Sequence, residues 1–484
     1  MTAKLNNPQK RGISDVVKSA RIYPQEYMRN DRKPASGAML DDSPVYLGSE
    51  DLPISRYTSP DFHRLEMERM WNRTWQVACH ESSIADVGDT VVYEIGRWSI
   101  LVVRSAPDTI KGFYNSCLHR GTQLRTADGP VSEFRCPFHG WTYDLRGNLT
   151  ELPESWDFPH IDACKTALPE VKVSVWAGWV FINMDKECKP LEDYLGPQRH
   201  RFEAIRPHRR AVASHTMITG IRANWKATQD GFFEVYHCDE THPQLMVATN
   251  CFDAEMSVYL DGSHLSSRLI VPVAVPGGGS HYKATEQEVI DNLFMDRVRG
   301  APTLGSGRDQ INVPKLAEGE IARPHAAEAL RKVKEELLGV DLSSASDSEV
   351  IDAIEYFAFP NFMPWAGYQN CMAYRFRPDG EDPAKSIMDV WLLAPVEDDA
   401  QELPHAPETL IVNCDGGIGH IEALGRFRTV LQQDLDNLPL VQKGMMTSAK
   451  GAVSLADYQE VRIRHFNQVL DRYLGLDQKD KAGS

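Results

Sequence analysis

Two short cysteine–histidine pairs, Cys117-Leu118-His119 and Cys136-Pro137-Phe138-His139, constrain this chain more than any other feature. Each pair is one turn's reach across, so each can present a thiolate and an imidazole to one metal centre. Sixteen residues, 120 to 135, separate the pairs, enough for a strand and its return. Two tight loops from one small sheet can therefore converge. On spacing alone, two sites fit about equally well. One is a tetrahedral Cys2His2 zinc site with a purely structural role. The other is an iron–sulfur centre with both cysteines on one iron and both histidines on the other.

The residues around the pairs have a β texture. Strand-like runs at 90–93, 98–103, 171–175 and 179–182 are separated by Pro107-Asp108, Asp128-Gly129-Pro130 and Arg146-Gly147-Asn148, the pattern of a small antiparallel domain. Upstream, residues 1–45 form a polar arm, ordered only where it docks. Ser59-Pro60-Asp61 signals a helix start, followed by Phe62, Leu65, Met70 and Trp71 at roughly helical spacing. After Pro190, residues 216–221 and 365–376 look like strands, 326–338 and 455–474 like helices, and 276–280 like a loop. The charged stretch 286–348 reads as helices plus surface connections rather than core. Phe357, Phe359, Phe362 and Trp365 are candidates for a pocket, although core packing is the better reading. No internal repeat is visible.

Charge and cysteine usage exclude several classes. Lys plus Arg is 52 against 68 for Asp plus Glu, a net charge of −16, and such a surface is repelled by phosphate backbones. Nine cysteines in 484 residues are too sparse, and odd in number, for a secreted disulfide framework. The first twenty residues lack an apolar signal core. The longest apolar runs, 391–395 and 176–184, fall far short of the ~20 residues that span a bilayer. The expectation is a cytoplasmic protein with neither nucleic-acid nor membrane partners.

A second constellation lies in Asn224-Trp225-Lys226-Ala227-Thr228-Gln229-Asp230-Gly231-Phe232-Phe233-Glu234-Val235-Tyr236-His237-Cys238-Asp239-Glu240-Thr241-His242-Pro243. His237 and His242 are five apart, so a regular helix would splay them by roughly 140°. They reach one ion only if the helix ends between them, an ending that Thr241 and Pro243 favour. Two histidines plus one carboxylate, with open positions, is the ligand set of non-haem Fe(II) oxygenases. Read without the cysteine pairs, the two histidines fit an exposed helix terminus better. The absence of His-Glu-x-x-His argues against a zinc protease. Asp239 and Glu240 share the histidines' own short stretch, so the carboxylate must come from elsewhere. Glu234 can hydrogen-bond an imidazole. The distal stretch Gln432-Gln433-Asp434-Leu435-Asp436-Asn437 offers Asp434 or Asp436 as the ligand.

The flanks break the tie at the first site. Tyr114-Asn115-Ser116-Cys117-Leu118-His119-Arg120-Gly121 and Cys136-Pro137-Phe138-His139-Gly140-Trp141 look like the two Rieske signature loops, whose small residues let backbone N–H groups approach the sulfurs. Together the motifs resemble the large (α) subunits of Rieske non-haem iron ring-hydroxylating oxygenases, the naphthalene and biphenyl dioxygenase family. The likeness runs from the Ser59 helix to the Gly444 region, while 283–350 and both termini match poorly. It implies Cys117, His119, Cys136 and His139 as ligands of a [2Fe–2S] cluster. It implies His237, His242 and Asp434 as ligands of a mononuclear Fe(II), since Asp434 and Asn437 meet the family's Asp-x-x-Asn spacing and Asp436 does not. Glu234 takes the place of the acid that joins His139 of one chain to His237 of the next in a trimeric ring. Asp230 stands where the naphthalene type has an asparagine near the iron, so Glu234 and Asp230 are the candidate catalytic side chains. Gly231 replaces a bulky pocket residue and so enlarges the pocket.

The implied fold is α+β: a small antiparallel Rieske domain at about 75–187 inserted into a catalytic domain with a curved antiparallel sheet over a long helix (helix-grip-like). That domain comprises a helical part at 46–74 and residues 188–484. The implied function is the terminal oxygenase of a multicomponent system using O2, with electrons from NAD(P)H through a separate ferredoxin or flavin reductase. No complete Rossmann fingerprint is present, because Asp415-Gly416-Gly417-Ile418-Gly419 lacks its setting. The expected assembly is a homotrimer, with or without a small β subunit. Near the cluster, five basic residues (Lys111, Arg120, Arg125, Arg135, Arg146) face three acids (Asp128, Glu133, Asp144), which reads as an ordinary solvated face rather than a charge-steered ferredoxin dock. The expected reaction is cis-dihydroxylation of an aromatic or polycyclic hydrophobic substrate. The alternative is monohydroxylation or oxidative demethylation by the same apparatus. A bare electron carrier is disfavoured because about 300 residues would then lack a task, and a zinc interaction module is disfavoured by the loop flanks.

Overall fold

The computed structural model describes residues 24–205, 209–277, 283–300, 313–396 and 403–477, with backbone alone for 295–300 and 337–338. The first 23 residues of the expected arm and positions 278–280 of the expected loop lie outside it. The described part of the arm docks: Met28 and Met39 are buried, and Arg32 pairs with Asp347 at 3.2 Å.

Helix α1 (Pro60–Glu66) starts where the Ser59 hydroxyl accepts the Phe62 N–H at 3.3 Å, with proline in the first turn. It runs on into one π turn, Met67–Trp71, that drives Met70 and Trp71 into the core. Next comes a six-stranded antiparallel sheet of β1 (Gln76–His80), β2 (Thr90–Ile95), β3 (Trp98–Ala106), β4 (Thr109–Tyr114), β5 (Glu170–Trp176) and β6 (Trp179–Asn183), in the order β1-β6-β5-β4-β3-β2. A three-stranded sheet, Phe134–Arg135, Thr142–Tyr143 and Leu149–Glu151, sits between β4 and β5 in the chain and carries the second cysteine–histidine loop. Leu101, Val103, Phe113, Phe134, Trp141 and Tyr143 form the core beneath the two cysteines.

The second, eight-stranded sheet comprises β7 (Arg210–Ile221), β8 (Glu255–Val258), β9 (Leu265–Val271), β10 (Ala353–Ala358), β11 (Phe362–Ala366), β12 (Met372–Pro378), β13 (Ser386–Pro395) and β14 (Leu410–Asn413). Its order is β8-β9-β10-β11-β12-β13-β7-β14, antiparallel except for the β7–β14 pair. Helix α2 (Trp225–Phe233) packs on β12 and β13, and α5 (Arg428–Thr447) and α6 (Val461–Leu474) pack against it. The α+β architecture is the one expected.

Three interactions fix these elements. The Asn224 side chain caps α2 by accepting the Lys226 N–H at 3.0 Å, while its own N–H donates to Gln442 of α5 at 2.8 Å. Lys226, buried, pairs with buried Glu66 of α1, which also accepts the Trp225 indole N–H at 3.1 Å. The two sheets are joined by buried Arg375 of β12, whose Nη1 donates to the Val77 and Ala78 carbonyls of β1, each at 2.8 Å, while its Nε donates to Asp389 at 2.9 Å.

Three local expectations are corrected. The stretch 365–376 is two strands with a turn between them, because Gly367 takes a positive φ. The helix expected over 455–474 begins only at Val461, since Tyr458 is drawn away to hydrogen-bond Ala254 and Met256. The stretch 286–348 is more than surface: Val289, Ile290 and Leu293 of α3 (Glu286–Gly300) bury against Ala326, Ala327 and Leu330 of α4 (Ala322–Leu338). The charged outer faces of these helices mask that seam in the sequence. Phe357, Phe359 and Phe362 are core, while Trp365 lines a cavity. Among the described residues no helix is long and apolar enough to cross a membrane.

Candidate metal centres

The two cysteine–histidine loops repeat one backbone design. The Cys117 N–H donates to the Thr122 carbonyl at 2.8 Å and the Gly121 N–H returns to the Cys117 carbonyl at 2.9 Å. The Cys136 N–H donates to the Trp141 carbonyl at 2.8 Å and the Gly140 N–H returns to the Cys136 carbonyl at 3.0 Å. Each loop closes on a glycine four residues after its cysteine, with φ of 80° at Gly121 and 76° at Gly140, a conformation that disfavours side chains. The loops bring the His119 and His139 rings to 4.6 Å between centroids, and His119 stacks on Trp141 at 5.2 Å.

The two sulfurs sit in different electrostatic settings. Burial raises the Cys117 thiol against the pull of the His119 backbone N–H. At Cys136 burial also pushes upward, but the Phe138 N–H, the Cys117 thiol and the His139 N–H together hold it below the ordinary value. The Tyr143 hydroxyl lies 3.5 Å from Cys117 Sγ and accepts the Leu118 N–H at 3.1 Å. His119 Nδ1 is buried with no hydrogen-bond partner among the described residues. An orphaned acceptor costs free energy unless something occupies it. Two buried sulfurs, an orphaned imidazole nitrogen and an exposed second imidazole therefore fit a cluster ligated unequally at its two ends.

The second constellation also converges. Helix α2 stops at Phe233, Glu234 takes extended backbone, and a single helical turn, Cys238–Thr241, follows with His237 and His242 at its two caps. This is how residues five apart come to face each other. His237 Nε2 and His242 Nε2 lie 3.2 Å apart, and Asp434 Oδ1 of α5 is 3.6 Å from the first and 2.9 Å from the second. Bonds of about 2.1 Å to a six-coordinate ion place neighbouring donors about 3 Å apart, so the three atoms fit one metal. Asp436 lies outside the group: it is exposed and accepts the Gln432 amide at 2.7 Å.

Each imidazole is oriented from behind. His237 Nδ1 faces Glu234 Oε1 at 2.7 Å, and His242 Nδ1 faces Gln433 Oε1 at 2.9 Å. With Nδ1–H donated in both cases, both Nε2 lone pairs point inward. Burial lowers the His237 pKa, but Asp434, Cys238 and Glu234 outweigh it and raise the group above its ordinary value. Burial raises Asp434, but the two imidazoles hold it below the usual carboxylate range. Arg462 of α6 fixes the end of α2 by donating to the Phe233 carbonyl at 2.9 Å and to Glu355 at 2.9 Å.

Two cavities of about 280 and 420 Å³ meet at this group. Gly231, Phe232, Glu234, His237 and Asp434 line both of them, and a Cβ at Gly231 would meet nothing within 4 Å. Asp230 lies in the larger cavity, where it accepts the Tyr57 hydroxyl at 2.7 Å while its other oxygen is buried without a hydrogen-bond partner among the described residues. Burial pushes its carboxyl up to about 7, against the pull of Tyr57 and Lys226. Gln433, Arg462 and Cys238 were not singled out from the sequence. Gln433 directly before Asp434 and Cys238 directly after His237 carry a positional signal, and Arg462 carries none.

Two family profiles match the chain: "Rieske [2Fe-2S] domain" over residues 74–162 and "Ring hydroxylating alpha subunit (catalytic domain)" over 198–476. The carnitine monooxygenase oxygenase subunit of Escherichia coli (strain K12) is 34% identical over 194 residues, 40% of this chain and 52% of that protein. The chlorobenzene dioxygenase subunit alpha of Cupriavidus sp. (strain PS12) is 32% identical over 193 residues, 38% of this chain and 42% of that one. The aligned stretch thus spans about half the length of these relatives. A quaternary ammonium Rieske monooxygenase solved with L-carnitine has the same fold, with a TM-score of 0.59 and 17% identity over 87% of this chain and 95% of that one.

Proposed function

Because the chain belongs to the ring-hydroxylating α-subunit family, with a Rieske domain ahead of its catalytic domain, we propose that it is the terminal oxygenase of a multicomponent Rieske system. The family's groups are a Rieske [2Fe–2S] cluster and a mononuclear iron. When bound, they supply stored electrons and an open ferrous site for O2. The residues assigned to the cluster are Cys117, His119, Cys136 and His139, and those assigned to the iron are His237, His242 and Asp434. The observation that carries the reading is the meeting of His237, His242 and Asp434 within 2.9–3.6 Å in the domain beyond the cysteine loops. Metal analysis tests it: about three irons and about two acid-labile sulfides per chain, with little zinc, are expected. One zinc per chain and no sulfide would overturn it.

Electron transfer is assigned to an assembly of copies, a homotrimer in this reading. Exposed Phe138 packs against the exposed His139, exposed Leu118 precedes His119, and exposed Tyr236 lies beside Glu234 and His237. Such apolar surfaces fit burial against a second copy. In that arrangement Glu234, already bound to His237, receives His139 of the neighbour. Electrons then enter from a ferredoxin or flavin reductase.

For the substrate, the smaller cavity supports an uncharged apolar molecule. Phe232, Trp365, Tyr374 and Phe427 line it. Of its charged lining residues, Glu355 is paired to Arg462 at 2.9 Å, and Arg426 is hydrogen-bonded to the Gln369 carbonyl at 3.2 Å and to Asn370. The open position at Gly231 supports a substrate larger than a bicyclic arene, and Gly231→Phe with undiminished activity on the native substrate would argue against it. The preferred reaction is cis-dihydroxylation of an aromatic or polycyclic substrate. Monohydroxylation or oxidative demethylation is the second reading, favoured by the likeness to an oxygenase subunit named for carnitine monooxygenation. Products formed under labelled dioxygen separate the two, since dihydroxylation retains both oxygen atoms and monooxygenation one.

A further inference from the structure

We propose that Cys238 is an alternative ligand of the mononuclear site, recruited by thiophilic ions such as zinc in competition with iron. This rests on the reading that His237 and His242 hold the mononuclear metal.

Cys238 Sγ lies 3.9 Å from His237 Nε2, and the ligand atoms of His237, Cys238 and His242 all fall within 4.8 Å of one another. Asp434 is not part of that compact set. The two imidazoles therefore belong to two overlapping donor sets, one completed by a carboxylate oxygen and the other by a sulfur. Zinc prefers tetrahedral coordination, with bonds of about 2.3 Å to sulfur and about 2.0–2.1 Å to nitrogen. At a tetrahedral angle those bonds put sulfur and nitrogen about 3.6 Å apart and the two nitrogens about 3.3 Å apart. The observed 3.9 and 3.2 Å differ from these by a few tenths of an ångström. Ligand type then sorts the ions, since thiolates select soft metals while carboxylates suit harder ones.

An ion can reach the sulfur. Cys238 and Cys251 both line the smaller cavity, where they belong to a buried cluster with Met246 and Leu269. Binding replaces the thiol proton with the metal and releases that proton to water. Nothing is oxidised or reduced. A site closed this way loses an open position, so zinc acts as an inhibitor specific to the sulfur-bearing chain.

The test uses full-length protein from which the mononuclear iron has been chelated while the cluster's visible absorption is retained, loaded with one equivalent of zinc. X-ray absorption at the zinc edge is expected to show one sulfur at about 2.3 Å together with imidazole nitrogens. In Cys238→Ser the sulfur is lost and zinc affinity falls roughly 10-fold or more. Nitrogen and oxygen ligation alone in the wild-type protein overturns the proposal and leaves the histidine assignment standing. Zinc ligation and affinity unchanged in His242→Ala overturn both.

Discussion

Gln433 Oε1 stands 2.9 Å from His242 Nδ1, while Asp434, the next residue on α5, places Oδ1 2.9 Å from the same ring's Nε2. One helix therefore faces a single imidazole at both nitrogens. Gln433 also accepts the Gln244 amide at 2.7 Å, which fixes its oxygen toward the ring.

Removing that oxygen frees the ring and its tautomer without touching a ligand. Gln433→Leu should lower mononuclear iron affinity by about 10–100-fold and leave the cluster's absorption unchanged. Iron retention after graded chelation reads the effect, and a wild-type curve would assign Gln433 no orienting part.

Glu234 holds His237 at 2.7 Å and is proposed to receive the neighbour's cluster histidine. Glu234→Gln keeps the shape but not the charge. Both metals should remain, while oxidation of the reduced cluster in the presence of substrate and O2 slows on the order of 10-fold or more. Stopped-flow absorbance of the cluster measures this directly, and an unchanged rate removes Glu234 from the route.

The Glu66–Lys226 pair ties α1 to α2, and both residues are no more than 1% exposed. Glu66→Ala strands a buried ammonium and should cost about 3–5 kcal/mol in urea unfolding. Replacing both residues with methionine should recover most of that loss, because the uncompensated charge, rather than the missing pair, is what destabilises.

Asp230 gives a pH signature. The folded chain holds this proton up to about pH 7 and the unfolded chain releases it near 3.8. Its contribution is therefore complete below 3.8 and is lost as pH rises through about 7, by up to about 1.4 kcal/mol per pH unit in between. Asp230→Asn lacks this slope, so its stability relative to wild type should grow as pH climbs from 4 to 7. Parallel stability curves for the two proteins would show that Asp230 does not titrate in that window.

What could be read from the sequence followed from how local each signal is. The cysteine–histidine loops announce themselves because ligands and turn glycines lie within a few residues of each other. The His237–His242 pair needed a helix break, and Pro243 beside Thr241 supplied the hint. The residues alone leave Asp434 and Asp436 equal as the distal carboxylate, and only the family resemblance, through its Asp-x-x-Asn spacing, selects Asp434. Arg462, Tyr57 and Gln244 reach the site from other elements, and no pattern around them signals it. The same limit hid the α3–α4 seam, where apolar faces are diluted by charged neighbours, and the late start of α6, which a tertiary hydrogen bond to Tyr458 decides.

The guanidinium of Arg375 is anchored at once to the carbonyls of Val77 and Ala78 and to Asp389. The electron-storing module is therefore no detachable cassette. A transplant cut at its sheet edges would expose two backbone acceptors on one side and leave the Arg375 Nη1 without them on the other. Chimaeras that exchange these modules between relatives should carry β1 and β12 across together.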